Sequence, residues 1–321
     1  MPTILVIAAC DDWPTDRVVN VLTNRGVRVF RMDTADFPQR AILAGRIDTR
    51  RGWCGKLANS HRAVELSDIE AVYFRAPHQF RLADGMSEAE RRFAAAQARA
   101  GFGGVISALD ARWVNHPAAM TRAEYKPIQL ATARECGLAI PATLVTNDPD
   151  AVRAFAEDIP SPIICKPVAS PVFIEGNELK TVYTRRLSPH DLVDLRGIDT
   201  TAHLFQAWIE KAYEVRLATA GDRLLAAEVH ARSSRGHEDW RSDYGSLTYR
   251  RTDTPADVAE GVRRLMGRLG LRFAALDFVV SPSGAWTFLE ANPCGQWDWI
   301  QGATGLPIAE AIADELQGVP T

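Results

Sequence analysis

The segment Leu276-Asp277-Phe278-Val279-Val280 sets one carboxylate into an apolar run. After a turn marked by Ser283-Gly284, the chain returns as Trp286-Thr287-Phe288-Leu289-Glu290-Ala291-Asn292-Pro293. Side chains two apart on a strand share a face, so Glu290 and Asn292 point together and Asp277 can meet them across the hairpin. Carboxylate and amide oxygens are hard ligands suited to Mg²⁺, and Mg²⁺ held by few protein ligands usually also grips substrate phosphates. The arrangement therefore points to ATP chemistry. A solvent-facing hairpin is the competing reading, and the apolar flanks on both strands argue against it.

Two lysines have positions that suit phosphate. Lys126 lies near the start of a helix, and Lys166 closes the apolar run Ile163-Ile164-Cys165 before Pro167. An unpaired ammonium at the end of a buried strand is costly, so it needs an anion. Phosphate oxygens would serve, and so would an internal salt bridge. Leu204-Phe205-Gln206-Ala207-Trp208-Ile209-Glu210 is an apolar strand whose backbone edge could meet a purine, with Trp208 and Ile209 as lining. In Glu214-Val215-Arg216 both charges share one strand face. Glu214 could bind ribose hydroxyls and Arg216 could bridge a phosphate and a substrate carboxylate. A plain core strand with a surface ion pair explains this segment equally well.

The elements that must position these groups alternate in type, which is the pattern of layered α/β folds. Strands are expected over residues 3–9, 27–32, 69–75 and 112–115, with a helix over 16–25 that turns Val18, Val19 and Leu22 inward. Residues 42–57 read as a hairpin insert. Ser87-x-x-Glu90 is a capping box opening an Ala-rich helix to about residue 100, and Thr121-x-x-Glu124 reads as a second, opening a helix to Cys136 that stops at Gly137. Beyond it come strands over 141–146, 163–167, 180–185 and 204–209 with a helix over 149–157. The last block has strands over 214–219, 224–230 and 244–249, an amphipathic helix over 256–269, the hairpin already described and a C-terminal helix.

Composition is that of an ordinary globular chain and excludes wholesale disorder. The 321 residues are 46% hydrophobic and 24% charged, enough for a sizeable core in two or three domains. The formal charge of −3, from 37 basic and 40 acidic residues, gives no field to recruit nucleic acid or an anionic membrane. The apolar start lacks a basic n-region and runs into Asp11 and Asp12, so it reads as a first strand and not as a signal peptide. Five widely spaced cysteines without a CxxC exclude a zinc site or a disulfide framework and suit a reducing cytoplasm. Cys294 lies near the candidate site, but no His neighbours it in sequence to make it a nucleophile. GxxxxGK[ST], GxGxxG after the first strand, HExxH and GxSxG are all missing.

In this order, the helix Lys, strand Lys, hinge strand, Glu-x-Arg, Asp and Glu-x-Asn resemble the ATP-grasp superfamily of carboxylate–amine and carboxylate–alcohol ligases, over roughly residues 115–310. More narrowly, several stretches are similar to the ATP-grasp ribosomal peptide maturases, the graspetide or microviridin-type macrocyclases. They are Val72-Tyr73-Phe74-Arg75-Ala76-Pro77, Trp113-Val114-Asn115-His116-Pro117, Lys126-Pro127-Ile128-Gln129-Leu130 with Gly137-Leu138-Ala139-Ile140-Pro141-Ala142-Thr143, Ile164-Cys165-Lys166-Pro167, and Phe288 through Trp297 with its Asn-Pro…Gly-Gln-Trp ending.

The resemblance implies an α/β (α+β) ATP-grasp fold: a pre-ATP-grasp domain over 1–117, a central lid over 118–209 and a C-terminal ATP-grasp unit over 210–321. By motif matching, Lys126 and Lys166 touch phosphates, Gln206, Trp208 and Ile209 form the adenine hinge, and Glu214 holds ribose. Asp277, Glu290 and Asn292 hold Mg²⁺, and Arg216 sits by the transferring phosphoryl. The sequence departs from the pattern at Ala207, where many relatives have Glu, and in the loop 169–177, which has one glycine, Gly176.

The implied reaction turns a side-chain carboxylate of a precursor peptide into an acyl phosphate. A Ser/Thr hydroxyl or Lys amine of that peptide then takes the acyl group. On the acceptor side, Glu228, His230 and Arg232 share a strand face. There His230 could deprotonate the attacking hydroxyl and Arg232 could steer acidic substrate, while Arg75 could meet a carboxylate or phosphate. A partly exposed structural His is the competing reading. His237-Glu238-Asp239-Trp240-Arg241 reads as a mobile charged loop that could contact peptide, a solvated loop being the default. The expected partner is a peptide with a leader and an acidic, hydroxyl-rich core, and the family suggests a homodimer. A small-molecule amino-acid ligase and a non-catalytic nucleotide-binding protein are the rival readings.

Overall fold

A computed structural model of the chain describes residues 2–169, 171–176 and 178–319. The run TILVIA forms β1 (Thr3–Ala8), buried at every position. Such a strand needs cover on both faces, which is what a parallel sheet provides. α1 (Trp13–Asn24) follows, its N-cap Asp12 accepting from the Thr15 amide at 3.0 Å. Val18 and Leu22 are buried and Val19 packs at the edge of the same cluster. Next come β2 (Arg28–Met32), β3 (Ala41–Arg46), β4 (Cys54–Asn59), β5 (Ala63–Glu65) and β6 (Ile69–Arg75). The hairpin insert thus gains a third strand, in the antiparallel order β3-β4-β5.

The Ser87–Glu90 capping box forms and opens α2 (Glu88–Ala98), which runs through a widened turn at Arg99–Gly103 into α3 (Gly104–Ser107). β7 (Arg112–Val114) completes a parallel sheet in the order β2-β1-β6-β7. The second expected capping box does not form. α4 (Pro117–Ala123) is capped by His116 and carries Thr121 inside it, with Glu124 at its end. The chain restarts as α5 (Lys126–Glu135), and Gly137, at φ 83°, ends it. Pro117, which cannot sit inside a helix but suits its first turn, sets the true start five residues before the expected one.

The middle of the chain holds β8 (Thr143–Thr146), α6 (Pro149–Asp158), β9 (Ile163–Lys166), β10 (Val172–Glu175), β11 (Glu178–Thr181), β12 (Arg185–Arg186), α7 (Pro189–Val193) and β13 (His203–Ala207). The order β12-β9-β13-β8 is antiparallel around Val152, Ile163, Leu195 and Phe205. The single strand expected at 180–185 is instead the exposed hairpin β10–β11 followed by β12. No residue of β10 or β11 is buried, so neither leaves a period-two signal. Positions 170 and 177 of the loop compared with a Gly-rich run lie outside the described residues.

The last unit comprises β14 (Tyr213–Ala220), β15 (Arg223–Ala231), α8 (Ser234–Glu238), β16 (Leu247–Thr252), α9 (Ala256–Leu269), β17 (Phe273–Val280), β18 (Trp286–Asn292), α10 (Asp298–Thr304) and α11 (Ile308–Gln317). The sheet runs β16-β15-β14-β17-β18, antiparallel throughout. One face buries Val215, Leu217, Leu276 and Phe278 against α9, α4 and α5, so the Lys126 helix packs on this sheet and not on the central one. The other face packs on α11, which lies between this sheet and the N-terminal one. A helix so placed must be apolar nearly all round. Its buried acid, Asp314, is met by Arg25 and Arg223 at 2.6 Å each. Asn115 ties the two sheets: it accepts from the Arg272 and Phe273 amides and donates to Phe273 and Pro293 carbonyls. Among the described residues no helix is long and apolar enough to cross a membrane.

Candidate active site

An open cleft of about 990 Å³ lies between the central sheet and the last one. Its floor is set by register. Arg216 on β14 pairs with Asp277 on β17, and Asp277 pairs with Glu290 on β18. Phe278 then pairs with Phe288, leaving Leu289 without a partner residue. This bulge shifts the phase of β18 and aims Glu290 beside Asp277, a common device where a strand must deliver a side chain to a site. Arg216, Asp277 and Glu290 thus stand in a row across neighbouring strands.

The row is held by cations. Asp277 is buried, with Oδ1 accepting from Arg216 Nη1 at 2.7 Å and Oδ2 from Arg241 Nη2 at 2.6 Å. The same Arg241 Nη2 lies 2.9 Å from Glu290 Oε1, and Lys126 Nζ lies 3.5 Å from Glu290 Oε2. Burial pushes the Glu290 carboxyl up, but the positive charges of Arg241, Lys126, Lys166 and Arg216 more than reverse this and bring it down to about 2. Burial brings Lys166 down to about 8, opposed by Glu290 and reinforced by Lys126. Burial also works against the Arg241 charge, but Asp277, Glu290 and Asp239 outweigh it and its pKa is raised.

The carboxylate pair fits a divalent cation. One nitrogen reaches an oxygen of each acid within 2.9 Å, so Asp277 Oδ2 and Glu290 Oε1 already converge on a single point. Mg²⁺ wants oxygens at about 2.0–2.1 Å and uses one or two carboxylates with substrate phosphates. Asn292 lines the cleft, but its Oδ1 presently accepts from the Cys294 amide at 3.0 Å.

The residues expected to meet phosphate, adenine and ribose also border this cleft. Lys166, Gln206, Trp208, Ile209 and Glu214 all line the cleft. Gln206 is fully buried, and its Nε2 donates to Thr143 Oγ1 at 2.9 Å. Among the described residues its Oε1 meets no donor, an acceptor available to a ligand amine. The Ala207 and Trp208 amides are already given to Ala142 and Pro162 carbonyls. Arg186 stacks over Trp208 at 4.1 Å from the ring centre, and Lys211 pairs with Glu214. Burial raises the Glu214 pKa, and Lys211 opposes that shift.

Three expected residues are not brought to this cleft. Val215 pairs with Glu228 and the Tyr213 ring lies 5.0 Å from the His230 ring, so His230 lies on the face of β15 opposite Arg216 and Asp277. There His230 Nε2 sits 2.7 Å from Glu228 Oε2, which also takes Arg250. Alternation along β15 was legible, but which face met the acids depended on pairing with β14. Arg232 donates to Ser246 O at 3.3 Å and lines a separate cavity of about 480 Å³ with Arg186 and His237. Arg75 is buried and fully engaged, donating to Asp12 at 2.9 Å, to the Cys294 and Gly295 carbonyls and to Gln296 Oε1. It clamps the N-terminal sheet to the turn after β18.

The loop expected to be mobile and solvated is packed against the body of the protein. Trp240 is buried against Trp299 and Tyr244, and Asp239 is buried and accepts from the Thr184 amide at 3.1 Å. This anchoring delivers Arg241, which sequence reasoning missed. The available signal was a large aromatic residue inside a charged run. Gln129 belongs to the Lys126–Leu130 stretch, which carries no obvious chemical role for it. It is buried and grips Ala291, between Glu290 and Asn292, through both its amide atoms.

A row of acids ringed by lysines and arginines lines the cleft between two sheets, an arrangement that suits an ATP-grasp ligase. Residues 3–121 match the family described as the MvdD pre-ATP grasp domain. Over its whole length the chain is similar to peptide macrocyclases. The macrocyclase MdnC of Microcystis aeruginosa MRC, solved with its precursor peptide MdnA, is 27% identical with a TM-score of 0.85, covering 98% of this chain and 99% of that one. MdnB of the same organism is 28% identical with a TM-score of 0.80, covering 98% and 99%. A RiPP-associated ATP-grasp ligase of Chryseobacterium gregarium, solved with ADP and a leader and core peptide, is 25% identical with a TM-score of 0.90, covering 100% and 98%. No curated protein matches.

Proposed function

We propose that this enzyme uses ATP to crosslink a ribosomally made precursor peptide, joining Asp or Glu side chains to Ser/Thr hydroxyls or Lys amines as ester or amide macrocycles. A carboxylate oxygen attacks the γ-phosphorus, the bond to the β-phosphate oxygen breaks, and ADP leaves with that electron pair. The acceptor oxygen or nitrogen then attacks the acyl carbon and the carbon–oxygen bond to phosphate breaks. The acceptor loses its proton and inorganic phosphate leaves. The observation that carries this reading is the Arg216–Asp277–Glu290 row with Lys126 and Lys166 around it.

In this reading Lys126 and Lys166 bind phosphates, Gln206, Trp208 and Ile209 receive adenine, and Glu214 takes ribose. Asp277, Glu290 and Asn292 hold Mg²⁺, which neutralises charge developing on the phosphoryl oxygens. Arg216, on Asp277 at 2.7 Å, faces the phosphoryl group. Arg75 and His230 enter as structural residues, and Arg232 as a residue of the neighbouring cavity. A peptide suits the open cleft better than a small amino acid. Phe173, Ile174 and Leu179 stand exposed on the hairpin whose base, with Val182 and Tyr183, borders the cleft. Such a patch gains from apolar peptide residues. The division at 1–117, 118–209 and 210–321 serves as a working domain plan. The free cysteines agree with a cytoplasmic site of action, and a homodimer follows the family resemblance.

The test is acyl-phosphate trapping. With ATP, Mg²⁺ and an acidic, Ser/Thr-rich peptide encoded beside the gene, hydroxylamine should divert the peptide to hydroxamates as ADP forms. ADP release that needs free amino acids and ignores the peptide would instead indicate the small-molecule ligase.

A further inference from the structure

We propose that Arg241 is a displaceable catalytic cation. It fills the metal's position between Asp277 and Glu290 until nucleotide-bound Mg²⁺ takes those oxygens, and its freed guanidinium then binds the substrate carboxylate being activated. This rests on the ATP-grasp reading above.

The contacts single out Arg241 among the cleft cations. Its Nη2 alone joins Asp277 Oδ2, at 2.6 Å, to Glu290 Oε1, at 2.9 Å. Arg216 holds the other Asp277 oxygen, and Lys126 the other Glu290 oxygen. Arg216 has no room to leave. Its side chain is 6% exposed and also donates to Gln296 O at 2.9 Å, and a Cβ on Gly295 would come within 2.7 Å of its Nη2. Arg241 is 35% exposed and borders the open cleft.

The backbone beneath Arg241 is anchored, while its tip is held only by the acids that a metal would take and by Asp239. Buried Trp240 pins the turn, and the guanidinium carbon stands 4.7 Å from the Trp240 ring centre, a surface along which it can swing. Mg²⁺ and a guanidinium cannot share the same carboxylate lone pairs at bonding distance. Arginine cannot shed its charge, so on displacement it needs another anion. Asp239, 3.6 Å from Nη1, is already engaged by the Arg241 and Thr184 amides. The new anions that enter with substrate are the phosphates, faced by Lys126 and Lys166, and the peptide carboxylate. The planar fork of an arginine suits a carboxylate and holds it in line with the γ-phosphorus.

The test compares wild type with Arg241→Gln and Arg241→Lys, using Mn²⁺ as an EPR-visible stand-in and ADP as nucleotide. Removing the competing cation should tighten Mn²⁺ binding to the Arg241→Gln protein about tenfold, with and without ADP. Peptide-dependent ADP release should fall about 10³-fold, as when an arginine serving a phosphoryl transition state is lost. Arg241→Lys should keep metal binding near wild type and restore only part of turnover, because a point charge cannot fork a carboxylate. Mn²⁺ binding by Arg241→Gln that is unchanged or weaker overturns the proposal, and so does turnover within about threefold of wild type. If Arg241→Gln does not fold, Arg241→Lys decides alone: full turnover overturns the proposal and a tenfold or larger loss with unchanged Mn²⁺ affinity supports it. A wild-type protein that binds no Mn²⁺–ADP defeats the ATP-grasp reading itself, and this inference with it.

Discussion

Replacing Gln129 by Leu should unfix the metal-bearing strand. β18 is the edge of its sheet, so the outward backbone groups of Ala291 have no neighbouring strand to meet. Gln129 stands in for one. Its Nε2 donates to Ala291 O at 2.7 Å and its Oε1 accepts from Ala291 N at 2.8 Å, while Nε2 also meets Ala123 O. Leucine has a similar volume and offers neither atom. Each buried polar group left unpaired costs about 1–3 kcal/mol, so the two groups of Ala291 together cost about 2–6 kcal/mol. Against a total stability of about 5–15 kcal/mol, that is a large fraction. Because Ala291 lies between Glu290 and Asn292, affinity for Mg²⁺–ADP should fall along with stability. Urea unfolding followed by tryptophan fluorescence, with and without Mg²⁺–ADP, reads both effects. A loss under about 1 kcal/mol with unchanged nucleotide affinity would refute the claim that Gln129 seals this edge.

Other predictions follow from the same geometry. Lys166 is held near 8 by burial, so above that pH it is neutral in the folded protein while the unfolded chain still binds the proton. Stability should therefore rise between about pH 8 and pH 10.4, where the unfolded state holds more protons. A bound polyanion draws the proton back, so ADP affinity should fall from about pH 7 to about pH 9 with proton uptake visible calorimetrically, and Lys166→Met should flatten that slope. Asp277→Asn should abolish the dependence of nucleotide binding on Mg²⁺ while leaving Mg²⁺-free ADP binding measurable by equilibrium dialysis. Arg75→Leu should cost about 3–5 kcal/mol in denaturant unfolding, because it strands Asp12 and the carbonyls of Cys294 and Gly295. An Arg75→Leu protein of wild-type stability would contradict the clamp.

The acids and lysines were legible in the sequence because their surroundings are unusual. Asp277 sits among Leu276, Phe278 and Val279, and Lys166 ends an apolar run, so local pattern alone marked them as charges kept for a reason. Arg241 was hidden because its neighbours Glu238 and Asp239 resemble a solvated turn. Only the packing of Trp240 on Trp299 shows that the turn is anchored. His230 shows the limit of alternation. The pattern along β15 is correct, but the face is set by register with β14, whose partners a single strand does not reveal. Thr121-x-x-Glu124 fits a capping box, yet Pro117 and His116 open the helix earlier. Strands β10 and β11 are exposed at every position and left no hydrophobic period to read.

The most direct measurement of the central claim is the intact mass of the neighbouring acidic, hydroxyl-rich peptide after incubation with the enzyme, ATP and Mg²⁺. One water should be lost per crosslink, with one ADP formed for each, and neither event should occur with Glu290→Ala. A peptide of unchanged mass beside an enzyme that hydrolyses or transfers from ATP only with free amino acids would contradict it.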